Sequence, residues 1–279
     1  MESLIKSEEN NKGADIIALP SHAATEKIID KFATSNTALI VTTGVCHNIQ
    51  VEDLIKEYNL FKKQFLETNK SIGIVLAGDA PDSTNNWFFF TQKEAKSLAK
   101  YIVKYLDENK IVGANLLITN GPRTGKFNTE TKKEDVQAHR DGNTDLVTKK
   151  FMDTLDKSDI KNTTLFDFQY GAQTMFKAIL GSLESTESQS EIFMPGESIS
   201  MISQGLDVLQ KTSMIIYENG AMNSTHKEYV KEVHATGKAK VLTQYKEILP
   251  NVDNSDVSSQ TEYKPAREKV AEQIYNMKS

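Results

Sequence analysis

The feature that most constrains this chain is alternation. Short apolar runs of strand length take turns with longer stretches whose apolar residues recur at helical spacing. Strand-length runs read at 14–19, 37–43, 72–76, 114–119, 163–168, 192–194, 213–217 and 239–242. Helical stretches read at 51–69, 91–106, 144–155, 173–183, 199–209, 225–235 and 265–277. In the first, Leu54, Tyr58, Phe61 and Phe65 share a face. In the second, Ala95, Leu98, Ala99, Ile102, Val103 and Leu106 do so, behind a Thr91 N-cap with Glu94 set for a capping box. This rhythm predicts α/β units around a parallel central sheet, a Rossmann-like architecture. Open sheets of that kind bind ligands at the carboxyl ends of their strands, where the strand order reverses.

A chain of 279 residues can hold one large domain or two modest ones. A fresh strand–loop–helix series starts at Ser71, so a boundary is expected near Asn69. The apolar content of 38% and charged content of 25% fit a soluble globular protein. A net charge of -5 and a pI near 5.7 argue against a nucleic-acid binder, which needs a basic face. The lone Cys46 excludes an internal disulfide and fits a reducing compartment. The stretch from Met1 to Lys12 lacks the apolar core of a signal peptide, and no apolar run approaches the ~20 residues that span a bilayer. These points predict a cytoplasmic protein with no transmembrane segment. Residues 1–13 read as a solvated arm, and 126–143 as an exposed polar loop.

Two strands share one design, running into a small-residue loop and then a helix. The first leads into Ala77-Gly78-Asp79-Ala80-Pro81, the second into Pro195-Gly196-Glu197-Ser198. Such loops point backbone N–H groups at an anion, and a helix dipole reinforces the attraction. Gly196 allows close backbone approach and Ser198 can cap the helix. The same four residues also make an ordinary structural turn. The loop from Asn120 to Phe127 invites comparison with a P-loop, but its glycine spacing is one residue short. Phe127 also stands where a magnesium-binding hydroxyl belongs, so a nucleoside-triphosphatase is not expected. What remains is Arg123, set between two glycines and able to fork onto a phosphate. The five histidines show no metal-ligand spacing, and no metal site is expected. His22, just after a strand, is the candidate general base. Trp87 and Phe88–Phe90 read either as a contact patch or as packing beneath the Thr91 helix.

Taken in order, these segments resemble the mitochondrial-fission protein family first named for elongated mitochondria in plants, which has a glycosyltransferase-B-like fold. The likeness rests on Asp15–His22, Leu39–His47, Ile74–Asp79 and Leu117–Thr124, and most closely on Glu197-Ser198-Ile199-Ser200-Met201-Ile202-Ser203. It implies a glycosyltransferase-B-like C-terminal domain over 70–279 and a shortened remnant of an N-terminal α/β domain over 1–69. It further implies a nucleoside-diphosphate-sugar donor, transfer of the sugar without a metal, and no other cofactor. Donor contacts then fall on Gly78, Asp79, Arg123, Thr124, Gly196, Glu197, Ser198, Ser200 and Gln204, with His22 as the catalytic base. Two positions depart from the family pattern: Ala23 replaces an Asp, and Gln204 replaces a Glu. An amide offers one acceptor oxygen where a carboxylate offers two, which weakens a grip on ribose hydroxyls. The alternative is a non-catalytic adaptor that uses the scaffold for a protein partner, as plant members implicated in recruiting a dynamin-like fission protein suggest. An NAD-dependent enzyme fits less well, because no complete Gly-x-Gly-x-x-Gly is present.

Overall fold

The computed structural model describes residues 14–278 apart from 67, 69, 83, 129–141, 159, 161, 172, 187–188 and 250–262. The expected arm at 1–13 and most of the expected loop at 126–143 lie outside the described residues. The chain divides into two compact units, Met1–Asn48 with Thr261–Ser279, and Ile49–Gln260.

The smaller unit is built on a parallel pair, β1 (Ile16–Pro20) and β2 (Ala38–Thr42), in register from Ile16 opposite Ala38 to Pro20 opposite Thr42. The crossover between them carries α1 (Glu26–Ala33), a helix not read from the sequence. It is short, its Thr25 N-cap makes no side-chain bond, and it buries only Phe32. The C-terminal helix of the chain also packs on β2.

The larger unit opens with α2 (Val51–Phe61), whose first turn is closed by the Asp53 carboxylate accepting the Gln50 N–H at 2.9 Å. There follow β3 (Ser71–Val75), the short ladder β4 (Ala80–Pro81) and β5 (Trp87–Phe88), and α3 (Gln92–Glu108). Next come β6 (Asn115–Thr119), α4 (Leu146–Leu155), β7 (Thr163–Phe166), α5 (Phe176–Ser185) and β8 (Glu191–Pro195). The series ends with α6 (Ile199–Val208), β9 (Ser213–Tyr217), α7 (Ser224–Ala235), β10 (Ala239–Thr243) and β11 (Glu247–Leu249). The last helix, α8 (Ala266–Lys278), belongs to the smaller unit. No helix among the described residues is long and apolar enough to cross a membrane.

Seven strands form the central sheet in the order β11-β10-β9-β8-β3-β6-β7, all parallel except the edge strand β11. Numbered along the chain, the six parallel strands run 3-2-1-4-5-6 across the sheet, the Rossmann order. Strands β3 and β6 are buried throughout, as expected for strands covered by helices on both faces. Helix α3 starts at the expected Thr91–Glu94 capping box, with the Thr91 N–H donating to Glu94 Oε2 at 3.0 Å. Its buried stripe is Ala95, Leu98, Ala99, Ile102 and Leu106, and each buried Leu or Ile contributes roughly 1.5–3 kcal/mol. On the opposite side α2 lies so close to α5 that a Cβ at Gly181 would strike the Leu54 carbonyl oxygen. That intimate contact keeps α2 in the larger unit. The sequence reading puts the boundary near Asn69, whereas the division falls between Asn48 and Ile49, and again between Gln260 and Thr261.

Candidate functional site

Strands β3 and β8 are adjacent and parallel, so the loops that follow them share one rim of the sheet. The order reverses between these two strands: β6 and β7 lie to one side, β9 and β10 to the other. The fold thus brings Gly78, Arg123, Thr124, Glu197, Ser198 and Gln204 to the wall of a single cavity of about 320 Å³. Small-ligand sites typically occupy ~300–1,000 Å³, so the space suits a compact organic molecule. Its apolar wall includes Phe168, Phe176 and Met201. Asp79, Gly196 and Ser200 do not line the cavity. His22 lies in the smaller unit, in the turn after β1.

The expectation of free amides aimed at a guest is not met. The Gly78 N–H donates to Glu197 Oε1 at 2.8 Å, so the first loop's donor is taken by the chain's own carboxylate. The Gly196 N–H donates to the Tyr217 carbonyl, and the Ser198 N–H to the Pro195 carbonyl, each at 3.1 Å. Ser198 makes no side-chain cap for α6, and its hydroxyl lies 3.5 Å from Glu197 Oε1 instead. The cause is burial. Glu197 is only 4% exposed, and a carboxylate withdrawn from water must find donors. It finds the Gly78 amide across the crevice, and Asn219 Nδ2 at 2.7 Å on its other oxygen.

The glycines answer to the same packing. A Cβ at Gly78 would sit 2.9 Å from Arg123 Cβ, and one at Gly196 would sit 2.5 Å from the Met222 sulfur. Both glycines are thus approached closely, but by protein atoms: at Gly78 by the Cβ and backbone of Arg123, at Gly196 by the end of the Met222 side chain.

Burial pushes the Glu197 carboxyl above its usual range, against the opposing pull of the Gly78 N–H, the Asn219 amide and the Arg123 guanidinium. Asp79 is pushed up to about 7, first by burial, with the charges of Glu197 and Asp145 adding to the effect. The backbone N–H groups of Phe90 and Phe127 oppose the shift, donating to its two oxygens at 3.0 and 3.1 Å. Asp79 thus ties the β3 loop to the β6 loop. Thr124 is likewise occupied by the fold: its hydroxyl oxygen accepts the Gly121 N–H at 3.1 Å and reaches the Leu76 carbonyl at 3.5 Å. Arg123 is exposed, while its carbonyl accepts the Asp79 N–H at 2.9 Å. Gln204, one turn into α6, donates to the Ser200 hydroxyl at 3.3 Å.

Several groups that shape this rim were not read from the sequence. Asn120 donates to Asp167 at 2.7 Å and Thr148 at 2.8 Å, and its carbonyl oxygen accepts the Phe168 N–H at 2.7 Å. That network locks the ends of β6 and β7 to the start of α4, where Asp145 is the N-cap. Asn219 sits just past β9, beside Tyr217, whose hydroxyl donates to the Val75 carbonyl at 2.7 Å. The available signal was position alone: Asn120 and Asn219 are polar residues placed one or two past a strand's carboxyl end. Trp87 and Phe89 pack on Phe127, with ring centroids 4.3 and 6.0 Å apart, and Phe90 is fully buried near Tyr217. No protein-family model, curated protein or solved structure matches this chain.

Proposed function

We propose that the larger unit binds a nucleoside-diphosphate sugar at the carboxyl rim of its sheet, as a glycosyltransferase-B-like protein of the fission family would. The observation that supports this most is the cavity itself, which opens where the strand order reverses and carries Arg123 on its wall. Arg123 serves as the phosphate clamp, and Ser198, at the start of α6, lines the same cavity. Phe168, Phe176 and Met201 offer apolar surface for a base, and Gln204 offers an amide for hydroxyl groups. Transfer on this reading needs no metal, because Arg123 and the positive end of the α6 dipole stabilise a diphosphate leaving group. Calorimetry of the full chain with ADP-, GDP- and UDP-sugars tests the reading. Saturable binding that Arg123→Ala weakens supports it, and no heat at millimolar ligand rejects it.

A second reading, a non-catalytic adaptor on the same scaffold, draws on the Glu197–Gly78 bridge. A crevice whose carboxylate and amide satisfy each other needs no ligand to hold its loops together. A stable protein partner recovered by the full chain, with no sugar-nucleotide heat, selects this alternative.

A further inference from the structure

The two loops that meet at the strand reversal are bridged by an anion, and the protein supplies it. Glu197 belongs to the turn after β8, yet its carboxylate reaches across to the amide after β3 at 2.8 Å. It spans the point where the strand order reverses, at which sheets of this order bind their ligands. Resting on the nucleotide reading above, we propose that Glu197 is a built-in competitor for the ligand's anionic group. Its carboxylate holds the Gly78 amide, and it gives that amide up to the phosphate by taking a proton.

Three observations carry this. Glu197 and Gly78 both line the cavity, so an anion placed beside Arg123 meets the carboxylate directly. Glu197 Oε1 accepts the Gly78 N–H and Oε2 accepts Asn219 Nδ2, with the Ser198 hydroxyl 3.5 Å from Oε1 and the residue's own N–H adding to them, and none of these donors is cationic. The group is also buried, where two negative charges in contact repel far more strongly than in water. One N–H cannot serve two anions. A protonated carboxyl removes the conflict, because it loses its charge and gains an O–H to donate to a phosphate oxygen.

The charged and titratable groups facing Glu197 come from every neighbouring loop. They are Asp79 after β3, Arg123 after β6, Tyr217 at the end of β9 and Tyr245 after β10. Asp79 alone among these four has a carboxyl brought up to about 7, and its oxygens are held by Phe90 and Phe127 outside the cavity. It sets the background charge without touching the ligand. Burial raises the Glu197 carboxyl, which favours its protonated form in the direction the exchange requires.

The test is calorimetry of the full chain with ADP-, GDP- and UDP-glucose from about pH 6 to about pH 8, where the diphosphate of such a sugar holds no proton. Wild-type affinity should fall as pH rises, by up to about tenfold per pH unit for each proton taken up. Glu197→Gln should bind more tightly at the upper end and lose most of that slope, while Asp79→Asn should keep the part due to Glu197. If Glu197→Gln binds with the wild-type slope, the competitor is overturned while nucleotide binding stands. Should that variant fail to fold, binding by the wild type in buffers of different ionisation enthalpy counts the protons, and none taken up overturns it equally. If no sugar nucleotide binds wild type or variant, the nucleotide reading falls and this inference falls with it.

Discussion

Two buried glutamates serve the two rims of the sheet in different ways. Glu184, near the end of α5, accepts the N–H groups of Gln210, Lys211 and Thr212 at 2.9 to 3.2 Å. These are consecutive residues leading into β9, so one carboxylate closes one short loop at the amino rim. Glu197, at the carboxyl rim, accepts one backbone N–H from a distant loop and one side-chain amide. Their exposures are alike, 5% and 4%. Burial alone therefore does not distinguish the two carboxylates; the number and origin of their donors does. Three donors on one stretch of chain hold Glu184, whereas Glu197 spans a crevice to a single distant backbone amide.

The sharpest way to break that contrast is to remove each acid. Glu184→Ala strands three backbone donors, and loss on the order of 3 kcal/mol or more is expected in urea denaturation. Glu184→Gln should fall between, since one amide oxygen remains to accept. Glu197→Gln keeps an acceptor for Gly78 and removes a buried charge but faces Asn219 Nδ2 with an amide N–H, so its stability near pH 8 should fall by about 1–2 kcal/mol, less than Glu184→Ala. If Glu197→Gln proved as damaging as Glu184→Ala, the carboxyl-rim bridge would be a structural lock too.

Asp79 gives the next largest effect, and its sign is specific. Its carboxyl is raised in the folded state, so the folded protein binds more protons than the unfolded chain across that range. Its contribution to stability is complete below the unfolded value of 3.8 and is lost as pH rises through about 7. The slope reaches at most ~1.4 kcal/mol per pH unit. Subtracting the Asp79→Asn curve from the wild-type curve, each from denaturant melts across pH, should isolate it. A difference that grows in the opposite direction would mean that the Phe90 and Phe127 amides outweigh burial.

How much of this was legible in the sequence depended on whether local chemistry or tertiary packing decided each element. The Thr91–Glu94 box sets the start of α3 by itself, and the apolar runs of β3, β6, β8 and β9 announce a buried parallel sheet. Strand β11 was hidden because its hairpin turns at Gln244 and Tyr245, both with positive φ, and neither residue signals such a turn. Tyr245 is held there by packing near Tyr217 and by a 3.5 Å contact with Glu94, partners far away in sequence. The β4–β5 ladder is the reverse case: Asp82 closes its turn locally by accepting the Thr84 and Asn86 N–H groups, but its strands are only two residues long and carry no periodicity to read. At the site, sequence spacing could suggest that Gly78, Arg123 and Glu197 converge. It could not show that Glu197 would point at Gly78 rather than at solvent, since strand order alone makes those loops neighbours.

The smallest expected change in stability carries the most information about the cavity. Arg123 is exposed, and its backbone carbonyl accepts the N–H groups of Asp79 and Lys126. Arg123→Ala keeps that carbonyl and should leave the melting curve within the ±0.5 kcal/mol typical of surface changes. The Arg123 guanidinium pulls the Glu197 carboxyl down, so removing it should raise that group further. The variant should then bind sugar nucleotides more weakly at every pH while its pH slope shifts upward, because Glu197 takes its proton earlier. An unchanged melt with lost affinity assigns Arg123 to the ligand. A large drop in stability would instead make it a brace for the Gly78 loop, and the two rims would be alike after all.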